Sequence, residues 1–152
     1  MPQPLITSPS TPRLGLPYLF PGQAQKEAFV NEAFARLDAL VVPSVLGERA
    51  DPPATPAAGD SYVVAAVPVG AWEGRAAALA VWAESQWLFA EAVEGMWIFD
   101  RSAGGMARFS AAAGWKRVAA PPLPGSGTTQ DAEARAAIAA IVAGLQNLGI
   151  FV

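Results

Sequence analysis

Leu79-Ala-Val-Trp-Ala-Glu84 and Gln86-Trp-Leu-Phe-Ala-Glu-Ala92 are two short β runs separated by a single residue, Ser85. By strand parity Trp82 shares a face with Ala80 and Glu84, and Trp87 shares one with Phe89 and Glu91. The same kind of run recurs on either side, at Ser61–Val67, Gly95–Asp100, Met106–Ser110 and Trp115–Ala119. Turn signals at Pro68–Gly74, Glu94-Gly95, Gly104-Gly105 and Ala111–Gly114 separate these runs. The spacing predicts antiparallel hairpins of a small sheet or sandwich over residues 61–119. A short internal repeat lies within it: Leu79-Ala-Val-Trp82 with Trp87 matches Met106-Ala-Arg-Phe109 with Trp115, the second unit carrying one extra turn residue.

Moving towards the N-terminus, residues 43–60 hold Asp51-Pro-Pro-Ala-Thr-Pro-Ala-Ala-Gly-Asp60, a connector that cannot be helix or central strand. Before it, Pro21-Gly22 opens an amphipathic helix over residues 22–42. Its apolar stripe is Val30, Ala33, Phe34, Leu37, Leu40 and Val41, with Lys26, Glu27, Asn31, Glu32 and Asp38 on a solvated face and Pro43 as terminator. Residues 1–21 carry prolines at 2, 4, 9, 12, 17 and 21, which predicts an extended arm. The arm bears too many large apolar groups for a free tail. Leu14, Leu16, Tyr18, Leu19 and Phe20 are its candidate docking residues, on this domain, a neighbouring subunit or a particle surface.

Towards the C-terminus, a Pro/Gly linker at 120–128 leads to a helix over residues 129–149, with Asp131 and Glu133 in its first turn and Gly149 at its end. Its apolar residues Ala134, Ile138, Ile141, Leu145 and Leu148 step by 4, 3, 4 and 3, the spacing of a coiled-coil seam. The fold class is therefore α+β: an arm and an amphipathic helix, a small antiparallel β domain, and a short coiled-coil-like helix. So short a seam is marginal alone and needs a partner. Either it packs back across the helix of residues 22–42, or it joins copies of the chain. Ile at adjacent seam positions favours three strands, so a homo-oligomer is expected, a trimer first and a pentamer as the alternative.

Composition limits the chemistry. The chain has 152 residues, a net charge of −3, and neither Cys nor His. That excludes Ser-His-Asp and Cys-His nucleophile systems, disulfides and thiolate zinc sites. Neither a Gly-rich phosphate loop nor a P-loop lysine motif occurs. Ten scattered Lys and Arg make no patch for nucleic acid. No apolar stretch is long enough for a membrane span, and no secretory leader is legible, so synthesis and assembly are expected in the cytoplasm. No catalytic residue, cofactor or metal site is expected. Glu91, Glu94 and Asp100 among aromatics are the one pattern with a glycosidase flavour, but their spacing is not specific and turn and strand-edge charges that keep a β domain soluble explain it better. Trp82, Trp87, Trp97 and Trp115 are candidate glycan-stacking residues. With 33 alanines in the chain, the same rings are also the obvious core fillers.

Arg13–Val41 carries a resemblance, through Leu14, Leu16 and Pro17, Gly22-Gln-Ala-Gln-Lys-Glu27, Asn31-Glu-Ala33 and Leu37-Asp-Ala-Leu-Val41. Asp51-Pro-Pro-Ala54, the Gly-Asp before Tyr62-Val-Val64, Gly70-Ala-Trp72, Trp87-Leu-Phe89 and Glu94-Gly-Met-Trp97 extend it over about residues 12–118. These pieces resemble an uncharacterised domain family of tailed-phage, prophage and gene-transfer-agent proteins. The resemblance implies a virion-associated structural component, a tail fibre or head spike, acting in host adsorption or anchoring a receptor-binding fibre. Partners implied are a fibre, capsid or baseplate subunit, and host capsule or lipopolysaccharide if the Trp-rich region binds sugar.

Overall fold

The computed structural model describes residues 11, 18–19, 27–83, 85–125, 127 and 131–151, with the backbone alone for residues 27–29. The chain is α+β. Helix α1 spans Glu27–Val41, strands β1 and β2 are the two-residue pieces Ser44–Val45 and Glu48–Arg49, and β3 is Ser61–Val64. A single 3-10 turn at Gly70–Trp72 precedes β4 (Leu79–Ala83) and β5 (Gln86–Ala90). Strands β6 (Trp97–Asp100), β7 (Gly105–Ser110) and β8 (Gly114–Arg117) follow, and helix α2 spans Ala132–Asn147.

The strands form two four-stranded sheets of one topology, β2-β3-β4-β5 and β1-β6-β7-β8. In each, a two-residue strand lies parallel to the first strand of an antiparallel three-strand meander. The stretch expected as a bare connector thus supplies both parallel edges. Two residues are too few to show alternation, and the edge position explains why Leu46-Gly47 between them tolerates a turn. Gly47 sits at φ +147°, and a Cβ there would meet Ser102 Oγ at 3.0 Å, so a side chain would crowd the crossing between the sheets.

The internal repeat is structural and in register. Tyr62 pairs with Ala80 as Ile98 pairs with Ala107, Val63 with Leu79 as Phe99 with Met106, and Trp82 with Trp87 as Phe109 with Trp115. The faces are used differently. Between the sheets, Val63 and Leu79 from one meet Val45, Ile98 and Ala107 from the other, with Leu40, Ala90, Met96 and Trp115 packed against them. A second cluster lies on the opposite face of the first sheet: Val64, Trp72 and Ala80, edged by Tyr62, Trp87 and Phe89. Ile98 and Ala107, the counterparts of Tyr62 and Ala80, therefore pack on the reverse face of the preceding unit. The two units stack head to tail, which leaves the aromatic face of the first without a third sheet over it.

Helix α1 departs from its expected orientation. Asn31 and Asp38, read as solvated, are buried with Ala35 and Ala39, whereas Leu37 and Val41 are exposed. The arm is the cause. The Asn31 amide accepts from Leu19 N at 2.8 Å and donates to Leu19 O at 2.9 Å, standing in for a strand partner, and Thr11 Oγ1 donates to Asp38 at 2.7 Å. Backbone groups laid against a helix need side-chain partners. Tyr18 is buried and Leu19 half-buried, so at these positions the arm lies on its own chain. Leu14, Leu16 and Phe20 lie outside the described residues.

Helix α2 begins at the N-cap Asp131, whose carboxylate accepts from Ala134 N at 2.8 Å. It ends in a Schellman motif: Gly149 N donates to Gln146 O and Ile150 N to Leu145 O, with Gly149 at φ +70°. No residue of α2 is buried. The expected seam is split, because Leu145 turns half inward while Ile138, Ile141 and Leu148 stay 42%, 62% and 72% exposed and Ala134 is exposed with them. The alternative in which this seam packs back across α1 is thus not the arrangement adopted. Beyond the helix, Gly149 O accepts from Met106 N at 2.5 Å, and Phe151 bridges Val118 in parallel. The tail fills the place where β8 leaves β7.

Candidate functional site

The uncovered aromatic face is the natural place to look for binding. Trp82 and Trp87 sit opposite one another on β4 and β5, rings tilted by 59° with centroids 5.0 Å apart. Trp87 also meets the buried Trp72 edge-on at 5.0 Å and Tyr62 at 6.2 Å. Trp72 anchors this group from the loop before β4, and its indole N–H has no hydrogen-bond partner. Burial raises the Tyr62 pKa, the Asp60 charge adds to the shift and Arg49 partly offsets it, so the phenol stays a neutral hydrogen-bonding group.

Between α1 and β5 this face opens into a cleft of roughly 360 Å³, lined by Glu32, Arg36, Arg75, Gln86, Trp87, Leu88, Phe89 and Glu91. The volume falls within the range of small-molecule sites, about 300–1,000 Å³. Its rim is ion-paired. Arg36 Nη2 lies 2.7 Å from Glu32 along α1, and Arg75 Nη1 lies 3.3 Å from Glu91. The Arg75 guanidinium also covers the Phe89 ring, 5.1 Å from its centroid. Aromatic carbon, carboxylates, guanidinium groups and an amide thus share one open surface.

The four tryptophans expected to stack on sugar divide among three places. Trp82 and Trp87 belong to the cleft side of the first sheet. Trp115 packs against the core between the sheets, with Nε1 donating to Ala77 O at 2.8 Å. Trp97 lies on the second sheet, 48% exposed and on the strand face opposite Ile98. The four do not form one platform. Parity did put Trp87, Phe89 and Glu91 on one strand face. Arg75, Glu32 and Arg36 carried no signal beyond the i,i+4 spacing of the last two.

The three carboxylates considered for catalysis each have their own partner. Glu91 pairs with Arg75, while Glu94 pairs with Arg108 at 3.1 Å and accepts from Ala111 N at 2.7 Å. Asp100 is buried at the end of β6. Its Oδ1 accepts from Ser102 N at 2.9 Å, Ser102 Oγ at 2.7 Å and Ala103 N at 3.2 Å, and its Oδ2 accepts from Arg117 through Nε at 2.8 Å and through Nη2. Burial pushes its pKa up, but these hydrogen bonds and the Arg117 charge outweigh that and hold it below the usual 3.8. A general acid needs the opposite shift. Asp100 closes a turn. No group of three or more acidic side chains that could hold a metal ion is found among the described residues.

Two in-register β units stacked head to tail, with α1 beside the cleft of the first and the tail after α2 seated on the second, define a small α+β fold. The family described as "Protein of unknown function (DUF2793)" matches residues 30–116, from within α1 to within β8, and the chain belongs to it. No match was found among curated proteins or among solved structures. Among the described residues, no helix is long and apolar enough to cross a membrane.

Proposed function

We propose that the chain is a structural, non-enzymatic component of a phage-like particle, a subunit of a tail fibre or of a head spike or its base. It assembles as a homo-oligomer in the bacterial cytoplasm and is displayed on the particle surface, where it takes part in host adsorption or anchors a receptor-binding fibre. The observation that carries this reading is α2: a capped and terminated helix, tethered at its C-terminal end, that buries none of its residues and presents Ile138, Ile141 and Leu148 outward. Exposed large aliphatic groups in a stripe along one helix have a physical reason when another copy covers them. The resemblance of Gly22–Glu27 and Leu37–Val41 to phage and gene-transfer-agent proteins supplies the setting. Mass spectrometry of particles purified from the producing bacterium should find this chain in fixed ratio to the capsid or tail protein. Its consistent absence from intact particles would remove the proposal.

A second reading is favoured by the cleft. In it the domain is a carbohydrate-binding module that recognises host capsule or lipopolysaccharide through Trp87 and its neighbours. The two readings are compatible, since adsorption to a cell surface requires a ligand on that surface.

A further inference from the structure

We infer that the cleft between α1 and β5 takes an uncharged pyranose ring of a glycan, an inference that rests on the carbohydrate-binding reading. The stacking of the two β units shows why aromatic surface lies open there. Trp115, the counterpart of Trp87, is covered by the neighbouring sheet, and Phe109, the counterpart of Trp82, leans on it with ring centroids 5.3 Å apart. On the first unit no third sheet covers this face, so α1 and the Trp72 loop flank an aromatic patch and leave the cleft.

The rim sets the ligand class. Arg36 is balanced by Glu32 and Arg75 by Glu91, so the cleft is lined by two cations and two anions in adjacent pairs. Each pair offers guanidinium donors beside carboxylate acceptors, the complement of sugar hydroxyls, which both donate and accept. The pairs are solvent-exposed, with side chains 43–68% accessible. They cost little to re-partner, because exposed ion pairs contribute only about 0–1 kcal/mol. A uronate or phosphorylated sugar would add an anion to a cleft whose described lining already matches its two guanidinium groups with two carboxylates. Trp87 supplies the apolar platform for a ring's C–H face, since the guanidinium of Arg75 already occupies the face of Phe89. Gln86, at the start of β5, adds an amide that donates and accepts.

The test uses the full chain and two probe sets: neutral oligosaccharides from dextran, mannan and galactan, and anionic ones from polygalacturonate and alginate. Titration calorimetry and tryptophan fluorescence should show binding to at least one neutral probe. That affinity should stay flat from about 0.05 to about 0.5 M salt, because no net charge is neutralised. Arg75→Gln and Glu91→Gln should each weaken binding by about tenfold or more through a lost charge-assisted hydrogen bond, with unchanged circular dichroism. Trp87→Ala should abolish binding. If that variant unfolds, the two exposed substitutions decide alone. Preferred, salt-sensitive binding of the anionic probes would overturn the neutral class, and neutral binding untouched by both substitutions would place the site elsewhere. Either result leaves the carbohydrate reading standing, whereas absence of binding to every probe removes both.

Discussion

Replacing Asp100 with Ala should cost this fold more than any other single charged-to-alanine change among the described residues. The carboxylate is buried and accepts five hydrogen bonds, three from the turn at Ser102 and Ala103 and two from Arg117 on β8. Removing it leaves two backbone N–H groups and a guanidinium without their acceptor. Breaking a buried pair costs about 3–5 kcal/mol, and the lower end applies because Arg117 keeps a quarter of its side chain in water with Glu48 at 4.0 Å. The expected loss is therefore about 3 kcal/mol, a large part of the roughly 5–15 kcal/mol that holds a domain folded. Urea denaturation of the parent, Asp100→Ala, Arg117→Ala and the double variant would measure it, with coupling of about 1 kcal/mol or more between the sites. Dependence on pH gives an independent check. The folded pKa lies below 3.8, so this stabilisation is complete above about pH 4 and disappears as pH falls through the folded value. A loss under about 1 kcal/mol, strict additivity, or an acid transition identical in parent and variant would refute the reasoning. The turn matters beyond its own stability, since Gly104 and Gly105 at its end, with Phe99, form the seat for Gly149 and hence for the end of α2.

Gly149→Ala should loosen that seat: its φ of +70° penalises an L side chain, and the new Cβ would fall 2.8 Å from Phe99 Cε2. Together these cost about 2–4 kcal/mol at the tail, seen as faster proteolysis and amide exchange around residues 148–151 while the sheets stay protected. Ala77 is the one non-glycine residue at positive φ, +64°, among those described, and it is fixed there by Ala77 N to Val64 O and by the Trp115 indole on its carbonyl. Ala77→Gly should stabilise the domain by about 0.5–1 kcal/mol, because relief of left-handed strain outweighs the entropy of glycine; a lower thermal midpoint would contradict this.

The β domain was legible because each hairpin carries its aromatic pair next to its turn. Trp82 and Trp87, and Phe109 and Trp115, announce the two hairpins and their shared register. What alternation could not supply is which face of each unit is covered, since the same repeat position is core in the second unit and cleft wall in the first. Strands β1 and β2 escaped notice because Ser44-Val45 and Glu48-Arg49 are too short to alternate and their partners lie some 15 to 55 positions further along. Asn31 and Asp38 look solvated in the sequence for a related reason: a polar residue on a helix gives no sign of the distant residues, here Leu19 and Thr11, that hydrogen-bond to it. The cleft rim escaped too, because Arg36 on α1, Arg75 in a loop and Glu91 after β5 meet only through tertiary closure. On α2 the period revealed an apolar stripe, but the tether at Gly149 decides that Leu145 turns inward while Ile138, Ile141 and Leu148 look out.

That outward stripe is the central claim, and light scattering coupled to size exclusion tests it directly. The full chain at micromolar concentration should run at about three times its 15.7 kDa mass, or about five times if the ring is pentameric. Ile138→Asp with Ile141→Asp should return it to the monomer with an unchanged β-sheet spectrum, because charges in the seam would be buried without partners. An unmodified chain that is monomeric under these conditions, or an oligomer that the double substitution leaves intact, would contradict the assignment of α2 as the assembly helix.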